Sequence, residues 1–169
     1  MARAGPLDDA PEAIAAAKLV LAAEDRSAAE ARLRAIIRRS AGHLGARNDL
    51  AWLLAIEGRD LDLALSLASE ASRLNPESAT LDTLGLVHIK RGEDEEAVTA
   101  LEDAIAAPES SPTAHYHLAI ALERTGNTER AREMLEKALA GGDFPEANAA
   151  RQQLAELAPL EDRRSATAD

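Results

Sequence analysis

Few residue types in this 169-residue chain could do chemistry, and their spacing narrows the choice further. There is no cysteine, so disulfides, thiolate metal ligands and cysteine nucleophiles are excluded. His115 and His117 form a His-x-His pair, but residues two apart on a helix point to different sides and do not share a metal ion. His43 and His88 stand outside any ligand pattern and read as packing or surface histidines. The run Glu93-Asp94-Glu95-Glu96 could draw a cation. At a helix start, however, the same carboxylates offset the positive end of the dipole, each by about 0.3–1 kcal/mol, which accounts for them without a ligand. No glycine-rich phosphate loop is present, and no serine or carboxylate pair sits where a nucleophile would be activated. The expectation is a chain with no catalytic residue, no metal site and no cofactor.

The bulk properties point the same way. A hydrophobic fraction of 46% with 29% charged residues suits a folded domain with a sizeable core. Aromatics are only 2%, so that core must be built from Ala, Leu, Ile and Val, and its helices must approach closely. The net charge of −11 argues against a nucleic-acid partner, which needs a positive surface. Charge is uneven: residues 26–47 hold six arginines against Glu30, a local +5 that leaves −16 elsewhere. Such asymmetry can steer a partner or a second copy of the chain, with Arg32, Arg34, Arg38 and Arg39 as the second contact surface. No stretch approaches ~18 unbroken apolar residues, so no membrane insertion is expected. Ala13–Ala23 has an apolar look, but Asp8, Asp9 and Glu12 precede it and Lys18 interrupts it, so it reads as a helix, not as an export signal. A complete chain is then expected in the cytoplasm, and a piece cut from a larger exported protein in the periplasm.

The elements that position these residues follow from a period. Ala17, Ala51, Gly85 and Ala119 stand 34 positions apart within the same arrangement of apolar side chains, the mark of a repeat array. Leu118, Ala119 and Leu122 make one helical face, Thr125-Gly126-Asn127 breaks the helix, and Ala131, Leu135 and Ala138 form the stripe of a second. Leu81, Leu84, Gly85 and His88, the turn at Gly92, and Ala97, Leu101 and Ala104 repeat it. Leu50, Ala51 and Leu54 with Ala64, Ala68 and Ala71 repeat it again, through a turn at Gly58 that is one residue longer, and Pro76 closes that copy. So short a turn makes each pair an antiparallel hairpin. The pattern predicts nine helices, near 11–23, 27–40, 46–57, 61–74, 79–91, 94–107, 112–125, 128–140 and 145–157.

These residues resemble the tetratricopeptide repeat. Leu81-x-x-Leu84-Gly85-x-x-His88 with Ala97, Leu101 and Ala104 carries its signature, as does His115-x-x-Leu118-Ala119-x-x-Leu122 with Ala131, Leu135 and Ala138. Arg47 departs from the pattern where a large apolar residue is usual, Ala68 replaces a bulky one, and Glu109 lies near the place of a closing proline. The stretch Asn48–Ala55 is similar to bacterial members of the family. The resemblance implies an all-α, right-handed α-solenoid of antiparallel helix pairs. Its expected organisation is a tail at 1–10, a degenerate repeat at 11–43, repeats at 44–77, 78–111 and 112–144, a capping helix at 145–157 and a tail at 158–169.

In such a fold the first helix of each pair lines a concave wall. The resemblance therefore implies a groove lined by Lys18, Asn48, Trp52, Asp82, Leu86, Ile89, Tyr116 and Ile120, holding a peptide or amphipathic helix of another protein. Trp52 has two readings, facing the groove or packed against a neighbouring repeat. Members that grip chaperone tails line this wall with Lys, Arg and Asn; here Asn48, Trp52, Thr83, Thr113 and His117 stand there, so that function is rejected. The alternative function is self-assembly through charge-complementary surfaces.

Overall fold

The computed structural model describes residues 26–40 and 42–157. The predicted helix at 11–23, Lys18 within it and both predicted tails lie outside the described residues. Among those described there are eight helices and no strand. We number them α1 (Arg26–Arg39), α2 (Leu44–Glu57), α3 (Leu61–Leu74), α4 (Ser78–Arg91), α5 (Asp94–Ala106), α6 (Pro112–Arg124), α7 (Thr128–Ala140) and α8 (Ala147–Glu156). None is long and apolar enough to cross a membrane. The chain divides into two compact units, residues 1–75 and 76–169.

In the first unit α2 packs on both α1 and α3. The core is Ala29 and Leu33 from α1, Leu50, Ala51 and Leu54 from α2, and Ala64, Ala68 and Ala71 from α3, all buried. Gly58 takes the left-handed conformation (φ 65°) that ends α2, and its N–H bonds back to Ala55 O. The additional residue of this turn leaves Asp60 left-handed as well, at φ 45°, with no side-chain bond to the start of α3. Helix α2 begins earlier than the pattern suggests, because the His43 ring caps it: Nδ1 accepts the Ala46 N–H at 3.1 Å. Arg47, in place of the usual apolar residue, reaches across to Glu70 of α3 at 2.5 Å.

The second unit is built of two hairpins, α4–α5 and α6–α7, with α6 also touching α4 and α5, and α8 lying on α7. Its core gathers Leu101, Leu118, Leu122, Leu135 and Met134 around Ala97, Ala119, Ala131 and Ala150. Gly85 is buried at the α4–α5 crossing, where a Cβ would sit 2.7 Å and 2.9 Å from the two methyl carbons of Leu101. Glu109 is left-handed (φ 58°), a conformation proline cannot adopt, so this repeat closes without proline at that residue.

One polar pair interrupts the stacking of α4 on α6. Both partners are buried, and His117 Nδ1 donates to Asp82 Oδ1 at 2.7 Å. Burial pulls the His117 pKa down, but the hydrogen bond and charge of Asp82, helped by Glu146 and opposed by Lys90, leave it above the ordinary histidine value.

Two outcomes follow from this packing. Gly85→Ala gains helix propensity but overfills the crossing, for a net loss of about 1–2 kcal/mol in urea unfolding, and Leu101→Ala in the same chain relieves the crowding. The raised His117 pKa means that the pair's stabilisation is full below the unfolded pKa of about 6.5 and fades as pH rises through the folded value. The urea midpoint of the wild type should therefore fall over that window. In Asp82→Asn, where burial and Lys90 outweigh the remaining pull of Glu146, the slope should vanish or reverse; an unchanged slope would refute the assignment.

Candidate protein-binding faces

Two sets of side chains remain accessible in the places the sequence singles out, and each belongs to one unit. In the first unit, Asn48 and Trp52 stand one turn apart on α2 and both are half-buried. Trp52 is therefore neither enclosed in the core nor free in solvent. The Asn48 Oδ1 atom is buried and accepts no hydrogen bond among the described residues. A buried amide oxygen without a donor costs about 1–3 kcal/mol, a cost that turning the Asn48 amide outward to meet an incoming N–H would relieve.

In the second unit, Tyr116 and Ile120 occupy the same two repeat positions on α6, again half-buried. The Tyr116 ring lies 6.1 Å from Phe144, tilted by 51°, and 5.9 Å from the His117 ring. Burial, and then the charge of Glu146, raise the Tyr116 pKa. Across this face, Thr113 donates to Glu146 at 3.4 Å, and Gln153 of α8 donates to Glu123 of α6. The face is thus aromatic and aliphatic at the centre, with carboxylates at its margin.

The other expected contact residues are placed differently. Leu86 and Ile89 are only 6% and 4% exposed, and Ile89 packs with Leu118 and Leu122 in the core. Asp82 is buried with its carboxylate committed to His117. The physical reason is the side-by-side packing of α4 and α6, which covers the flank of each. What α4 loses as contact surface, α6 keeps.

The arginine surface is only partly free. Arg34 donates to Glu30 at 2.7 Å and approaches Asp60 at 3.8 Å, while Arg32, Arg38 and Arg39 are exposed without an ion-pair partner among the described residues. Arg59 and Arg34 together hold the Glu30 carboxyl below its ordinary pKa, the Arg59 hydrogen bond first. The histidines likewise have separate partners. His115 Nδ1 meets Ser111 O at 3.1 Å, whereas His117 turns to Asp82, so the His-x-His pair points to two different places. His88 donates to Glu93 at 2.8 Å, a carboxylate that Arg91 also holds at 2.8 Å. No group of three possible metal ligands is present among the described residues. The capping role of His43 had no signal in the sequence, because histidine is uncommon as a helix cap.

Comparison with known proteins fits this architecture. Residues 83–143 match the family model of the tetratricopeptide repeat. No curated protein sequence matches the chain significantly. Among solved structures, a thermophilic TPR protein of Thermus thermophilus superposes with a TM-score of 0.70 at 24% identity, over 89% of this chain and 84% of that one. PilF of Pseudomonas aeruginosa gives 0.74 at 20% identity, over 92% and 69%. A chain of the Cut9–Hcn1 hetero-tetramer of the APC/C gives 0.75 at 20%, over 86% of this chain but 29% of that one. At these identities the likeness establishes the fold, and the repeat motif is matched over residues 83–143. With its helix hairpins, small residues at the crossings and a matched motif over residues 83–143, the chain has the all-helical repeat fold of tetratricopeptide-repeat proteins.

Proposed function

We propose that the chain is a non-catalytic binding module that holds a peptide or amphipathic helix of a partner protein on the face of its first helices. Tetratricopeptide repeats serve in general as protein-interaction scaffolds, and Cut9 is found in a complex with another protein, Hcn1. The observation that carries the reading for this chain is the Asn48–Trp52 pair. An amide oxygen without a donor stands one turn from the chain's only tryptophan, which is half-buried. Once the Asn48 amide turns outward, a backbone N–H of an extended segment would satisfy the first, and an apolar side chain would cover the second. Tyr116 and Ile120 hold the same repeat positions in the second unit and supply the same kind of contact. Of the other residues expected to line the groove, Leu86 and Ile89 are packed and Asp82 is paired with His117.

Trp52 is also a built-in reporter, because its emission is the chain's only tryptophan signal. Peptides selected on the full chain from a random display library should shift that emission. Trp52→Ala should weaken their binding about tenfold or more while leaving helical circular dichroism unchanged. Selected peptides that bind Trp52→Ala and Tyr116→Ala as tightly as the wild type would remove both faces from the account.

A further inference from the structure

A cleft in the first unit stays open at a place where the second unit is bridged. Arg34, Ile37 and Arg38 of α1 and Leu63 and Leu67 of α3 line it together with Leu50 of α2, around a volume of about 180 Å³. Aligning the second helices on their buried residues puts Arg34 in register with Glu102 of α5, and Leu63 in register with Arg130 of α7. In the second unit these two positions close the space between helices, since Arg130 donates to Glu102 at 2.7 Å. In the first unit the carboxylate has become a guanidinium and the guanidinium a leucine, so that bridge cannot form. Leu63 is left 37% exposed, one of two large apolar side chains so exposed among the described residues. Glu30 and Asp60 hold Arg34 in place at the rim, and Arg38, one turn along α1, has no ion-pair partner among the described residues.

We propose that this cleft binds an acidic amphipathic helix of another protein, with one apolar side chain set against Leu63 and Leu67 and a carboxylate on Arg38. The charge pattern supports that occupant: residues 26–47 carry +5 in a chain that is otherwise −16, so an acidic segment is drawn here and repelled elsewhere. A second copy of the chain is a poor fit. The other exposed large apolar side chain among the described residues, Leu74, ends a helix beside Arg73, and Glu70, one turn back, is held by Arg47. The cleft is separate from the Asn48–Trp52 and Tyr116–Ile120 faces and does not depend on their role.

The test uses the full chain and a labelled synthetic helix with leucines along one face and glutamates flanking them, followed by fluorescence anisotropy at low and high salt. Binding should weaken with salt, and versions with lysine for glutamate, or serine for leucine, should bind at least about tenfold more weakly. Arg34→Glu with Leu63→Arg rebuilds the bridge of the second unit and should cost about tenfold or more, as should Arg38→Glu alone. The urea midpoint should hold in the variants, and Tyr116→Ala should have no effect on this probe. No binding, equal binding of the lysine helix, or undiminished binding by the double variant would overturn the proposal. A salt-sensitive dimer abolished by the double variant would make the occupant a second copy. Tighter binding after removal of residues 158–169 would make it the chain's own Leu160-Glu161-Asp162. Either result also overturns it.

Discussion

The closeness of paired helices is the constraint on which the rest of this molecule depends. With a single Trp, Tyr and Phe, the chain has no large rings to hold helices apart, and its core is filled by alanine and leucine. At Gly85 the approach is so close that even one methyl group would press on Leu101. Ala51 and Ala119 occupy the equivalent positions with no exposed surface at all. Close approach strengthens dispersion contact per residue, and a burial of roughly 25 cal/mol per Å² then suffices without bulky side chains. It also decides which side chains stay accessible. Once the small residues fix which face of each helix meets its partner, Trp52 and Ile120, one position further along, must look elsewhere.

Polar contacts set register more than stability. Arg59 joins Glu30 and Glu57 near the first turn, and Arg124 donates to Ile89 O at 2.9 Å while approaching Asp94 at 3.5 Å near the second. Exposed pairs of this kind contribute at most about 1 kcal/mol each. Their positions are more informative than their strength, because each ties the turn or end of one helix to a neighbouring helix within its unit. The buried His117–Asp82 pair differs, since losing either partner strands the other where water is scarce.

Much of this was legible in the residues alone. Spacings of three and four fixed the inner stripes, and Gly58, Gly92 and Gly126 marked turns that are left-handed in the structure. Helices at Leu61–Leu74 and Thr128–Ala140 start and stop where the pattern puts them. The surface was harder to read, because exposure of a first-helix residue depends on what covers it from another repeat. Leu86 and Ile120 are alike in sequence position, yet Leu86 is buried and Ile120 is half-buried. The Asp82–His117 contact joins residues 35 apart, one more than the repeat, and no local pattern announces it. The open cleft at Leu63 likewise becomes visible only when two second helices are compared position by position. Arg47 reads as a flaw in the repeat and proves to be a partner of Glu70.

The central proposal is that another protein is held at first-helix positions just past the small residues and one turn before them. Nuclear magnetic resonance of the labelled chain, titrated with a display-selected peptide, tests it most directly. Shifts should concentrate at Asn48, Trp52, Tyr116 and Ile120 as the peptide is added. Shifts confined to Glu133, Lys137 and their neighbours on the second helix of the last pair, with those four residues silent, would contradict it.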